Sequence, residues 1–334
     1  MLISNLYNTP YHKCDLSKFK FLITGGAGFI GSNIVEYLVN FNAGHIRVVD
    51  NLSNGYIHNI QPFVGLSNFE FIKGDLRDFN LCINLCADID YVSHQAALGS
   101  VPRSISDPIK TNSSNVDGFL NLLSAAKDNK NIKRLVYAAS SSSYGDSKMF
   151  PKKEGEEGNL LSPYAVSKLV NELYADVFSR VYDFNSVGLR YFNVFGPKQN
   201  PSNAYAAVIP LFCNNLIQEN IININGNGTT SRDFTFVENV VQANIKALFS
   251  DNISKHEIIN VACGEETSLN QLVSILSDIA SKKVEVKYSE ERIGDVKRSL
   301  ADISKASRLL GYHPKYTFRE GLELTFNWYK NNLL

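Results

Sequence analysis

Neither sign of charge is in excess in this chain: 33 Lys and Arg stand against 33 Asp and Glu. Without a global field, nothing draws it to nucleic acid or a membrane surface, and neither is expected as a partner. Any anionic ligand must be held by local groups, which favours a small phosphate-bearing molecule over a polyanion. Long apolar runs are missing too. None approaches the roughly 20 residues that a spanning helix needs, and the opening residues lack the charged, apolar, then small-residue order of a signal peptide. Cysteine is scarce: Cys14, Cys82, Cys86, Cys213 and Cys263 are an odd, scattered set. Cys82 and Cys86 would share one face of a helix, but no His or second Cys pair completes a metal site. The expectation is reduced thiols, no metal and a cytoplasmic location.

What is present is ordered in pattern. The 334 residues, 44% hydrophobic and 20% charged, suffice for two lobes of a globular molecule. The first 17 residues read as a polar lead-in. Strand-like apolar runs then fall at 20–24, 46–50, 69–73, 91–94, 135–139 and 187–191, with helices at 31–40 and about 162–181. That alternation predicts an α/β fold with a doubly wound parallel sheet. Beyond residue 193 it loosens, and 234–237 and 258–261 read as strands returning to the sheet. The expected organisation is interleaved. Residues 1–192 plus about 233–263 form the sheet domain, and about 193–232 plus 264–334 form a smaller α/β lobe.

Thr24-Gly25-Gly26-Ala27-Gly28-Phe29-Ile30-Gly31 follows a strand and opens a helix. Glycines at 25, 28 and 31 let the backbone approach a pyrophosphate, and the helix N-terminus offers it free N–H groups. A tight turn with no ligand would use the same glycines. Asp50, ending the second strand about 20 residues on, decides for a dinucleotide. Its carboxylate accepts from both ribose hydroxyls and repels a 2′-phosphate, so NAD is expected rather than NADP. Asp75, closing the third strand, reads equally as an adenine contact or a loop-capping aspartate. After the fourth strand, Gln95, Ala96 and Ala97 leave room for the cofactor's backbone, and His94 reads as a packed residue rather than a catalyst.

Tyr164-Ala165-Val166-Ser167-Lys168 lies on a helix, so Tyr164 and Lys168 project from one face, and serines at 140–143 follow the fifth strand. A tyrosine of pKa about 10 is a poor base near neutrality. A lysine cation at about 4 Å is worth about 4 kcal/mol at an effective dielectric near 20, or roughly three pKa units. That makes Tyr164 a working base, with a serine hydroxyl to hold the substrate oxygen and relay its proton.

Together, Gly25-x-x-Gly28-x-x-Gly31, Asn115-Val116-Asp117-Gly118, Ser140 to Ser142, Tyr164-x-x-x-Lys168 and Leu189-Arg190-Tyr191-Phe192-Asn193-Val194-Phe195-Gly196-Pro197 resemble the extended short-chain dehydrogenase/reductase family, over about residues 20–330. The resemblance implies a Rossmann-type sheet holding NAD and a C-terminal lobe clamping a nucleotide sugar. It places Tyr164, Lys168, Ser140 and Ser142 at the chemistry. It extends the cofactor contacts to Phe29, Ile30, Asn51, Ser53, Asn54, Gly55, Leu76, Asn115, Tyr191 and Val194, with Asn115 supporting the lysine. It also implies a homodimer formed by helices near 105–127 and 162–181.

Within that family, nucleotide-sugar 4,6-dehydratases carry an acidic pair before the Tyr144-Gly145 position, where this chain has serines. Segments Ala97 to Arg103, Asn203 to Pro210 and Ser231 to Asp233 are similar to the UDP-N-acetylglucosamine 4-epimerase type. The implied activity is NAD-dependent 4-epimerisation of a UDP-N-acetylhexosamine (UDP-GlcNAc to UDP-GalNAc) through a transient 4-keto sugar. The alternatives are a UDP-N-acetylglucosaminuronate, UDP-glucuronate or UDP-galactose 4-epimerase, or a non-catalytic NAD-binding scaffold, which the intact Ser/Tyr/Lys set argues against. Substrate contacts are expected from Ser100, Arg103, Ser140, Ser141, Ser142, Tyr164, Asn193, Tyr205, Ala206, Ala207, Val208 and Asn225. Arg232 and Arg292 are either diphosphate ligands or surface residues, and Asp295 is placed at the uridine ribose. Ser299 leaves space for a C2 acetamido group where epimerases confined to plain hexoses carry tyrosine, unless it contacts no ligand at all.

Overall fold

Strand β1 (Lys20–Thr24) is buried for four residues running, three of them apolar, which suits a strand covered on both faces. Its neighbours in the computed structural model, which describes residues 6–201, 207–290 and 297–332, are all parallel to it. The sheet comprises β1, β2 (His45–Asp50), β3 (Phe69–Lys73), β4 (Tyr91–His94), β5 (Arg134–Ser140), β6 (Ser186–Tyr191) and β7 (Glu257–Val261), in the order β7-β6-β5-β4-β1-β2-β3. Alternate side chains of β1 enter different cores: Phe21 and Ile23 join one cluster and Leu22 the other. The sheet is therefore wound on both sides.

From β1 the chain builds outward through β2 and β3, then returns to place β4 against the other edge of β1. Such a reversal opens a crevice at the carboxyl ends of the two strands. Thr24 and His94 end those strands in register, and Thr24 Oγ1 lies 2.8 Å from His94 Nδ1. Burial pushes His94 down to about 3, so the ring stays neutral and acts as a strut.

Helix α1 (Phe29–Asn40) starts at Gly28 with no side-chain cap, leaving its first N–H groups open. Helix α2 (Pro163–Tyr182) starts where Ser162 accepts from the Ala165 N–H and Pro163 supplies a preset φ. The run at 234–237 does not return to the main sheet. Only Thr235–Phe236 is extended, paired with Val194–Phe195, and Val237 opens the buried helix α3 (Val237–Phe249). A short apolar run cannot be assigned to strand or helix by periodicity alone. Residues 258–261 do return, inside β7.

The segment before β1 is more than a polar lead-in. Leu6, Tyr7 and Leu16 are buried. Tyr7 donates to Asn33 Oδ1, and the Tyr11 ring stacks on Tyr37 at 5.6 Å between centroids. Tyr11 and Lys315 both donate to Glu238 Oε1, at 2.6 and 3.0 Å. Aromatic rings with a polar tip bury well while remaining polar in composition.

Past β6, short strands build the remaining layer. Ser231–Arg232 pairs antiparallel with Thr267–Ser268 and parallel with Arg298–Ser299, while Ile222–Asn225 pairs with Val286–Ser289.

Candidate active site

Two clefts open at the carboxyl ends of the strands and meet at Ser140 and Asn193, which line both. The first, about 470 Å³, runs over the glycine loop. Gly25 has φ +65° there, and a Cβ on it would stand 2.7 Å from the Ala96 backbone. A Cβ on Gly31 would stand 2.2 Å from the Gly25 carbonyl oxygen. Only glycine permits that approach. The uncapped start of α1 faces the same space through Phe29, Ile30 and Gly31.

All the residues expected at the dinucleotide line this first cleft except Asn115: Gly25, Gly28 to Gly31, Asp50, Asn51, Ser53 to Gly55, Asp75, Leu76, Gln95 to Ala97, Tyr164, Lys168, Tyr191 and Val194. Asp50 Oδ2 accepts the Ala27 N–H at 3.1 Å and Oδ1 the Leu52 N–H at 2.8 Å, which orients the carboxylate at the end of β2. Burial raises its pKa against those bonds and a further one from the Gly28 N–H. The carboxylate keeps acceptor capacity for a hydroxyl. Asp75 is held well below the usual carboxylate range, first by its bond to Arg77, and also accepts from Asn51. The bare glycine turn, the open helix start and the strand-end carboxylate fit a dinucleotide.

Asn115 lies behind the cleft. Its amide bridges the Leu98 backbone (2.7 and 3.2 Å) to Ser167 Oγ (3.1 Å), the residue before the lysine. Ser100 caps the helix Val101–Ser106 and Arg103 donates to Asn54, on the first cleft's side. Val208 starts the helix Val208–Ile217, and Asn225 is exposed and bonded to Ser289. These four, expected on the substrate, line neither cleft, and Ala207 lines the first rather than the second. Tyr205, Ala206, Arg292 and Asp295 lie outside the described residues.

The reacting groups sit where the clefts meet. Ser140 begins a tight turn, Ser141–Tyr144, and its oxygen accepts the Ser142 N–H at 3.2 Å and the Ser142 hydroxyl at 2.9 Å. Its own proton remains for Tyr164, whose pKa that hydrogen bond lowers against a larger rise from burial. Ser141 and Ser142 line only the second cleft, and Ser143 turns inward to Glu172. Lys168 Nζ donates to the Ala138 carbonyl at 2.7 Å and stands 6.0 Å from the centre of the Tyr164 ring. Burial pushes Lys168 down to about 8, opposed by Glu172. Burial therefore dominates the tyrosine, and the Ser140 hydrogen bond opposes it.

Several supporting contacts carried no signal in the sequence, because the partners are distant along it. Arg190 forms a bidentate pair with Glu172, at 2.9 and 2.6 Å, and stacks over Tyr144. That locks α2, β6 and the serine turn together. Beneath the first cleft, Asn244 of α3 bonds Gln95 (3.1 Å) and Tyr191 (2.8 Å).

The second cleft, about 580 Å³, contains Ser140, Ser141, Ser142, Asn193, Arg232 and Ser299 of the expected substrate set. Arg232 and Ser299 are direct neighbours on adjacent short strands. Lys152, which was not anticipated, lines it as well. Among the described residues no Asp or Glu lines this cleft.

The family described as GDP-mannose 4,6 dehydratase matches residues 22–325 of the chain. The UDP-N-acetylglucosamine 4-epimerase of Methanobrevibacter ruminantium, solved in complex with UDP-N-acetylmuramic acid, is 41% identical with a TM-score of 0.88, covering 94% of this chain and 98% of that one. The UDP-glucuronic acid 4-epimerase of Bacillus cereus, solved with UDP-glucuronic acid and NAD, is 31% identical with a TM-score of 0.86, covering 93% and 99%. A UDP-glucose 4-epimerase of Mycolicibacterium smegmatis is 32% identical over 313 residues, 93% of this chain and 98% of that one.

Proposed function

The chain belongs to the family described as GDP-mannose 4,6 dehydratase, and from that premise we propose that it is an NAD-dependent nucleotide-sugar 4-epimerase acting on a UDP-N-acetylhexosamine. One observation carries the reaction type: Ser140 lines both clefts beside Tyr164 and Lys168 of the first, and among the described residues no carboxylate lines the sugar side. Elimination of water would need an acid and base there, which the described residues do not place. NAD bound in the first cleft supplies reversible hydride acceptance at the sugar's C4. Tyr164 takes the 4-hydroxyl proton, and Ser140 holds that oxygen and passes the proton. Lys168 stabilises the phenolate by its charge. The 4-keto sugar turns over, and the proton returns by the same path. Arg232 holds the diphosphate throughout, its guanidinium matching phosphate oxygens.

Ser299 supports the N-acetylated substrate, because beside Arg232 it leaves open the space that a larger side chain would fill. Lys152 favours a second reading in which the sugar is a uronate, UDP-N-acetylglucosaminuronate. It is 8% exposed, lines the sugar cleft and donates to the Ser147 carbonyl at 2.5 Å, one of three donors on an ammonium. The test is a product assay on UDP-GlcNAc, its uronate and UDP-glucose. Ser299→Tyr is expected to abolish turnover of both N-acetylated sugars and spare UDP-glucose, since overpacking costs about 1–3 kcal/mol or more. Lys152→Met is expected to cut only the uronate's rate, by about tenfold or more. If wild type acts on UDP-glucose alone, the N-acetylhexosamine proposal fails. If Lys152→Met lowers all rates alike, the uronate reading fails.

A further inference from the structure

Asp233 is fully buried, yet it is surrounded by backbone donors from separate parts of the chain. Its Oδ1 accepts the Cys263 N–H at 2.9 Å, and its Oδ2 accepts those of Gly264 at 3.0 Å and Ala301 at 3.2 Å. Its backbone carbonyl accepts Asn193 Nδ2 at 3.0 Å. Four segments therefore converge on one residue: the exit of β6, the strand Ser231–Arg232, the exit of β7 and the strand Arg298–Ser299. Asn193 lines both clefts, while Arg232 and Ser299 line the second. Ala301 is two residues beyond Ser299, and Asp233 directly follows Arg232.

A carboxylate is an expensive group to bury, so packing alone would favour an apolar side chain here. What a carboxylate offers is several acceptor sites in a fixed plane, able to take N–H donors arriving from different directions. We infer that Asp233 is a positioning residue for sugar-nucleotide binding: it sets where Arg232 and Ser299 stand relative to Asn193 and the catalytic turn. This rests on the reading that the second cleft holds the nucleotide sugar. The glycine loop, which holds the other ligand, touches none of these bonds. Loss of the hub should therefore weaken one ligand and spare the other.

Asp233→Asn keeps the volume but turns one acceptor into a donor facing an N–H. In the holoenzyme, we expect KM for the accepted UDP-sugar to rise at least tenfold, kcat to stay within about threefold and NAD content to be unchanged. An unchanged KM overturns the inference. So does a parallel loss of kcat, KM and NAD, which would mark a general scaffold role. If wild type accepts no UDP-sugar, the reading of the cleft falls instead, so the two failures are distinguishable.

Should that variant not fold, wild type carries the test through pH. The Asp233 carboxyl is pushed up to about 7 by burial, with Glu265 adding to the rise. Cys263 and Tyr312 also feel its charge, and both stay protonated near neutrality because burial raises them. Above about pH 7 the carboxylate accepts all three N–H groups, and below it the proton removes an acceptor. UDP-sugar KM should then rise about tenfold from about pH 8 to about pH 6 with NAD content constant. A flat KM over that range overturns the inference.

Discussion

A buried phenol that must give up its proton near neutrality faces a field that opposes it. Around Tyr164, burial raises the pKa and the Ser140 hydrogen bond lowers it less, so the base depends on cationic charge arriving at the site. Tyr164→Phe is expected to reduce turnover by about 10³-fold with NAD still bound, the loss typical of removing a positioned base. More than a tenth of wild-type rate would exclude the assignment. Lys168 is a cation below about pH 8, where burial has pushed it, and neutral above. kcat/KM is therefore expected to fall as pH rises through that value. Lys168→Met should remove the alkaline limb and move the acid limb upward, because the phenolate has lost its counter-charge. An alkaline limb surviving in that variant would belong to another group. The Tyr-x-x-x-Lys spacing was legible because it is local to one helix. The Ala138 carbonyl that draws the ammonium back, and the Lys152 stem under the sugar cleft, were not, since each depends on a strand or loop brought in from elsewhere.

At the scale of elements, the six leading strands were readable because each is short, apolar and followed by a turn. The two-residue strands were not. Ser231–Arg232 and Arg298–Ser299 contain too few residues for any periodicity, although they carry two groups of the sugar cleft. The run at 234–237 misled because the buried helix α3 begins inside it. The glycine loop offers the sharpest test at this scale. Gly31→Ala should gain up to about 1 kcal/mol of helix propensity. Its new methyl group would meet the Gly25 carbonyl at 2.2 Å, forcing the loop away from the pyrophosphate position. Equilibrium dialysis should show at least a tenfold loss of NAD affinity, while circular dichroism shows the fold intact. Unchanged affinity would remove the pyrophosphate from that turn.

For the whole molecule, the outer face of α2 is unusually apolar: Val166, Leu173, Val177, Val181 and Tyr182 are exposed, as are Ile105 and Ile109 on the helices beside it. We propose that this face pairs with its copy in a homodimer, since patches of this kind usually mark an interface. Light scattering at micromolar concentration should give twice the 37.2 kDa chain mass, and Val177→Glu with Ile109→Lys should give a monomer. A wild-type monomer would refute it. The segment before β1 reaches the same scale from another direction. Glu238 accepts from both Tyr11 and Lys315 through the same oxygen, and about 300 residues of synthesis separate those two partners. A ribosome adding about 5–20 residues per second needs on the order of fifteen seconds to a minute to cover that distance. Within that interval Tyr11 can reach Glu238 only after α3 has emerged, and the carboxylate lacks its counter-charge until Lys315 arrives. Among the residues described, some of the first to leave the ribosome are thus among the last to reach their final partners.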